Sequence, residues 1–154
     1  MDALTLLRDD HDGLKTLLKK GDETTERAIK TRMSLLQEIG TQLMAHEKIE
    51  EDIFYPALKK HPKAKDIVLE GYQEHHVMDL IMGELKHTEV TDEKWGAKFS
   101  VMKENVEHHI EEEEGEMFRQ ARRVFDRQEL DDLGKRMAER KASAQRELGV
   151  PVSR

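Results

Sequence analysis

Four stretches of this chain gather their apolar residues on one face of an α-helix, three of them by spacing stripe residues at intervals of three and four. The first stripe is Leu4, Leu7, His11, Leu14 and Leu18, and the second is Met33, Leu36, Ile39, Leu43, His46, Glu50 and Ile53. The fourth is Phe99, Met102, Val106, His109, Glu113 and Met117. Between them, plotted at about 100° per residue, Ile67, Val68, Tyr72, Met78, Ile81, Met82 and Leu85 gather on one side of a third helix. Stripes this narrow can be buried only against one another. With 38% charged residues, 36% hydrophobic and 5% aromatic, the outer faces are wet and a sandwich or barrel is excluded.

Breakers set the boundaries. Gly21-Asp22 ends the first helix, His61-Pro62-Lys63 makes a loop, and the polar run from His87 to Asp92 makes another. The pattern predicts helices over residues 2–20, 25–58, 65–85 and 93–124. Pro56 is expected to kink or end the second, because it lacks an N–H and clashes with the preceding turn. Asp126 and Glu129 have the spacing of a capping box that opens a fifth helix holding Leu130, Leu133 and Met137. The expected architecture is all-α: an antiparallel up-down four-helix bundle over residues 1–125. An additional C-terminal helix and short tail, residues 126–154, pack on it.

The net charge of −7 argues against a nucleic-acid partner. From Arg119 onward ten Lys/Arg outnumber six Asp/Glu, leaving −11 on the residues before it. That basic tail reads as a solvated helix, with docking to an acidic protein as the alternative. There is no cysteine, so thiolate metal sites and disulfides are excluded. No apolar run is long enough to span a membrane, and the N-terminus carries no leader pattern, so a cytoplasmic location is expected.

The chain holds eight histidines and three His-x-x-x-Glu pairs: His46/Glu50, His108/Glu112 and His109/Glu113. Four residues apart on a helix, both side chains of a pair leave one face. Register separates the three. His46/Glu50 and His109/Glu113 lie in the apolar stripes, whereas His108/Glu112 lines up with Asn105 on a polar strip. A carboxylate in an apolar stripe is costly unless paired or bound to metal. His11 sits mid-stripe in the first helix. In the third, His75 falls beside the apolar cluster and His76 nearly opposite, which favours His75. His61 and His87 fall in loops.

The inward set is therefore His11, His46, Glu50, His75, His109 and Glu113, drawn from all four helices. The two halves of the chain echo one another, each supplying a His helix and then a His-x-x-x-Glu helix. Imidazole and carboxylate without sulfur suit iron, manganese or zinc. Six donors with two carboxylates suit two ions better than one.

In that order, and through the segments HEKIEEDIFYP from His46 and HIEEEEGEMF from His109, the chain resembles the hemerythrin-like (HHE cation-binding) domain over about residues 2–123. The resemblance implies a non-haem centre of two iron ions, commonly oxo- or hydroxo-bridged, with bridging Glu50 and Glu113 and terminal His11, His46, His75 and His109. It departs from the oxygen carriers, which have a fifth His where this chain has Asp79. Asp79, Tyr72, water or nothing then completes one iron. The second acidic residue is also Glu rather than the carriers' Asp. The implied function is binding of O2 or a related small oxidant, in sensing or handling, with methionines and leucines keeping the pocket dry. The rival is an enzyme turning over hydrogen peroxide or nitric oxide. A third reading is a metal-stapled interaction module.

Overall fold

The computed structural model describes residues 1–149. Helix α1 spans Ala3–Asp22, α2 Ile29–Ile49, α3 Tyr55–Lys59, α4 Lys65–Lys86, α5 Glu93–Glu112, α6 Phe118–Val124 and α7 Arg127–Glu147. No strand occurs among the described residues. Two π-helical turns, Glu50–Phe54 and Glu113–Met117, join α2 to α3 and α5 to α6, so each pair forms one unbroken rod. The four rods of the bundle are thus α1, α2–α3, α4 and α5–α6, as the resemblance implies. Helix α7 lies outside them against α1 and α2. The end of the expected short tail, residues 150–154, lies outside the described residues.

Side-chain caps fix the starts of α1 and α5. Asp2 accepts from Thr5 N at 2.8 Å, and Asp92 accepts from Lys94 N at 2.7 Å. The expected capping box forms: Asp126 takes the amide of Glu129 at 2.8 Å, and Glu129 takes that of Asp126 at 3.1 Å. The second helix begins at Ile29 rather than residue 25, because Thr24 and Thr25 are used in a turn. The Arg32 guanidinium reaches back to Thr24 Oγ1 at 2.9 Å and across to Val90 O at 2.6 Å. It also lies 4.3 Å over the Trp95 ring.

Of the two outcomes expected at Pro56, a kink or an end, the end does not occur: the second rod continues through it to Lys59. The π turn just before it changes the hydrogen-bond pattern. Tyr55 N bonds to Glu50 O, five residues back, so the ring falls where a donor is not needed. The carbonyl of Glu51 accepts instead from the Tyr72 hydroxyl at 3.4 Å.

The core forms two apolar slabs. One holds Leu4, Leu7, Ile49, Phe54, Leu58, Met117 and Phe118; the other holds Leu14, Leu18, Ile39, Leu43, Met102 and Val106. A layer of His and Glu separates them. Met33 is a correction to the second stripe: at 60% exposed it faces solvent, since the stripe turns away from the core at that end of α2. The methionines divide likewise. Met78, Met82, Met102, Met117 and Met137 are buried, whereas Met1, Met33 and Met44 are exposed. Helix α7 packs tightly at Gly134, where an added Cβ would collide with Met1 O. Only glycine permits that approach.

Candidate metal centre

Each π turn opens at one of the two inward glutamates, Glu50 and Glu113. A π turn adds a residue to one helical loop and re-aims the side chain that begins it, a device common at functional sites. Proline after the first turn favours it there. Gly115 within the second turn lowers the cost of a departure from α geometry.

All six residues read as inward are buried and face one another. His11, Glu50, His75 and Glu113 are 0–1% exposed, and His46 and His109 are 3% exposed. Two rings from each half form a pair: His11 with His46 at 4.9 Å between centroids, and His75 with His109 at 5.0 Å, both at 66°. The carboxylates lie between the pairs. Glu113 presents Oε1 to His11 Nε2 at 3.1 Å and Oε2 to His109 Nε2 at 3.2 Å. Glu50 Oε1 lies 3.0 Å from His75 Nε2 and 3.3 Å from His46 Nε2. His76 is exposed, so His75 is the histidine that α4 contributes.

A second ring of carboxylates surrounds the imidazoles. His11 Nδ1 donates to Glu114 at 2.7 Å, His46 Nδ1 to Asp10 at 2.9 Å, His75 Nδ1 to Glu51 at 2.6 Å and His109 Nδ1 to Glu74 at 2.7 Å. Because each Nδ1 must carry the proton, the neutral tautomer leaves every Nε2 lone pair aimed inward. This ring was missed in the sequence, although its signal is there. An acid immediately precedes His11 and His75, and a second Glu immediately follows Glu50 and Glu113. The outer ring also reaches α7, since Asp10 takes the ammonium of Lys141 at 2.6 Å.

Electrostatics make this donor set unstable by itself. Burial disfavours imidazolium at His75, but hydrogen bonds to Glu50 and Glu51 outweigh it and push the ring up to about 10. His11 and His109 are raised too, burial again being outweighed by Glu113 and its neighbours. Glu113 stays well below the usual range, because its interactions with Glu50, His109 and His11 overcome burial. Protons thus stand where a cation would neutralise the carboxylates. Even so, Glu50 Oε2, His109 Nε2 and Glu113 Oε1 have no hydrogen-bond partner among the described residues. Orphaned donor atoms of this kind are what a metal would satisfy. Two groups of donors each lie within 4.8 Å of one another: His11, His46, Glu50 and Glu113, and Glu50, His75 and His109. The arrangement fits metal, with Glu50 common to both groups.

Tyr55 breaks the symmetry. Its hydroxyl donates to Glu113 Oε2 at 2.9 Å and lies 3.3 Å from His75 Nε2. Burial first, then Glu113 and Glu50, hold its proton well above the ordinary phenol range. Neither candidate offered for the carriers' fifth His reaches the centre. Asp79 is exposed and Tyr72 turns to the Glu51 carbonyl. Asp79 instead lines, with Glu47, Glu51 and Lys86, a groove of about 520 Å³ between α2 and α4.

The family model for the hemerythrin HHE cation-binding domain matches residues 2–121. No curated protein sequence matches the chain. Among solved structures, a hemerythrin HHE cation binding domain-containing protein from Mycobacterium kansasii is 26% identical. It superposes with a TM-score of 0.84 over 96% of this chain and 89% of that one.

Proposed function

The chain belongs to the hemerythrin HHE cation-binding domain family, and on that premise we propose that His11, His46, Glu50, His75, His109 and Glu113 hold two iron ions and that the centre binds O2 or a related small oxidant. The observation that carries the two-ion reading is the position of Glu113, whose two oxygens face His rings of opposite halves. Two ions would each have a pair of imidazole nitrogens and a share of both carboxylates. When bound, iron supplies a ferrous–ferric redox couple and an open coordination position.

The protein's own contribution is position and exclusion. The outer carboxylates lock each ring with Nε2 inward, and the two apolar slabs keep water from the layer between them. No helix among the described residues is long and apolar enough to cross a membrane. We place the protein in the cytoplasm and assign it no nucleic-acid partner. The unit that does this work is residues 1–125, with residues 126–154 as an added helix and tail.

Metal analysis of protein purified from its own host tests the reading, with optical spectra taken with and without air. Two irons per chain and oxygen-dependent charge-transfer bands are expected. Retention of two irons after Glu50→Ala and Glu113→Ala together would overturn the ligand assignment.

The second reading, turnover of hydrogen peroxide or nitric oxide, is favoured by Tyr55. A hydroxyl donor at the centre serves a reaction that moves protons, which simple carriage does not require. Steady-state peroxide disproportionation by iron-loaded protein, lowered by Tyr55→Phe at unchanged iron content, distinguishes it.

A further inference from the structure

We propose that His108, Glu112 and Glu74 form a separate divalent-cation site on the outer face of the bundle, linked to the buried centre through Glu74. The third His-x-x-x-Glu pair has no part in the inward layer. His108 Nε2 lies 3.0 Å from Glu112 Oε1, one turn apart on the solvent face of α5. Glu74 approaches from α4, and one donor atom from each of the three residues lies within 4.8 Å of the others.

The chemistry favours a cation over a bare cluster. One imidazole and two carboxylates suit a divalent transition ion, and the mixed set distinguishes this group from an ordinary acidic patch. A cation held between Glu74 and Glu112 would offset the repulsion of two neighbouring carboxylates. The group is also open to solvent, the side chains of His108, Glu112 and Glu74 being 66%, 41% and 26% exposed, so an ion needs no opening of the fold.

The link follows from Glu74. One of its oxygens, Oε1, accepts from His109 Nδ1 at 2.7 Å, and His109 Nε2 faces the inner layer. An ion on the outer side draws electron density from the carboxylate that supports this imidazole. The outer site stands on its own three residues; only the link rests on the function proposed above.

Zinc titration of the iron-loaded full-length protein tests both. Wild type should bind one more zinc than His108→Gln, or bind it at least about tenfold more tightly, since loss of a direct ligand should cost no less than loss of an orienting one. Glu112→Gln should behave like His108→Gln, and His76→Gln like wild type. Iron content should be equal in all four, and zinc should shift the optical spectrum of wild type but not of His108→Gln. Equal zinc stoichiometry and affinity in wild type and His108→Gln overturn the site. A spectrum unmoved by bound zinc overturns the link. Failure of the protein to take up iron counts against the inner centre and the link to it, while equal zinc stoichiometry and affinity in the iron-free wild type and His108→Gln still overturn the outer site.

Discussion

Tyr55 and Phe118 occupy equivalent places, each nine residues after the histidine of its rod, and differ by one hydroxyl. Tyr55 lies nearly parallel to His75 at 5.3 Å, and Phe118 to His11 at 6.3 Å. The pseudo-symmetric bundle therefore has one polar corner and one apolar corner. Because Tyr55 donates to an ionised carboxylate, Tyr55→Phe should cost about 1.5–3 kcal/mol of metal-free stability. Chemical denaturation measures it, and an unchanged midpoint would refute the hydrogen bond's role.

The outer carboxylates should matter to metal far more than to folding. Glu51→Gln and Glu114→Gln keep size and remove the charge that orients His75 and His11. Each should weaken iron affinity about 10–100-fold. Competition against a chelator reads the affinity, and far-ultraviolet circular dichroism should show unchanged helix content.

Glu47 gives the clearest dependence on pH. It is 7% exposed, and burial pushes its carboxyl from 4.5 up to about 9, with the negative charges of Asp79 and Glu51 adding to the rise. The folded chain therefore keeps a proton that the unfolded chain has released. The associated stability is fully present below 4.5, declines as pH rises and is gone above about 9. Glu47→Gln is neutral at every pH. The melting temperature of Glu47→Gln relative to wild type should climb across this window, and a constant difference would contradict it.

Helix α7 is seated through Gly134. In Gly134→Ala the new methyl group meets the backbone of Met1, Asp2 and Ala3, which cannot rotate aside. Overpacking of this kind should cost about 1–3 kcal/mol. Urea unfolding monitors it, and the variant should also expose α7 to proteolysis sooner.

Much of this molecule is written in helical period. The stripes placed His11, His46, His75 and His109, with Glu50 and Glu113, on the buried side of four rods, because position along a regular helix determines direction. What period cannot express is a change of period. The π turns at Glu50 and Glu113 were invisible, and with them the passage of the rod through Pro56. Partners across helices were equally hidden. Asp10 and Glu114 look like ordinary surface acids until the packing brings each to a ring on another rod. Met33 shows the opposite error, a stripe continued one step past the neighbour that would have covered it.

The outer carboxylates also cross between the halves of the chain. Glu114, near the end of the bundle, holds His11 near its start, and Glu51 of the first half holds His75 of the second. Neither half contains a full set of correctly aimed nitrogens. A hairpin of two rods, alone or briefly detached, would leave one of its own imidazoles free to spin. High-affinity metal capture is therefore a property of the complete four-rod bundle and not of either half. On a growing polypeptide it switches on only when residues beyond Glu114 have been made and folded home.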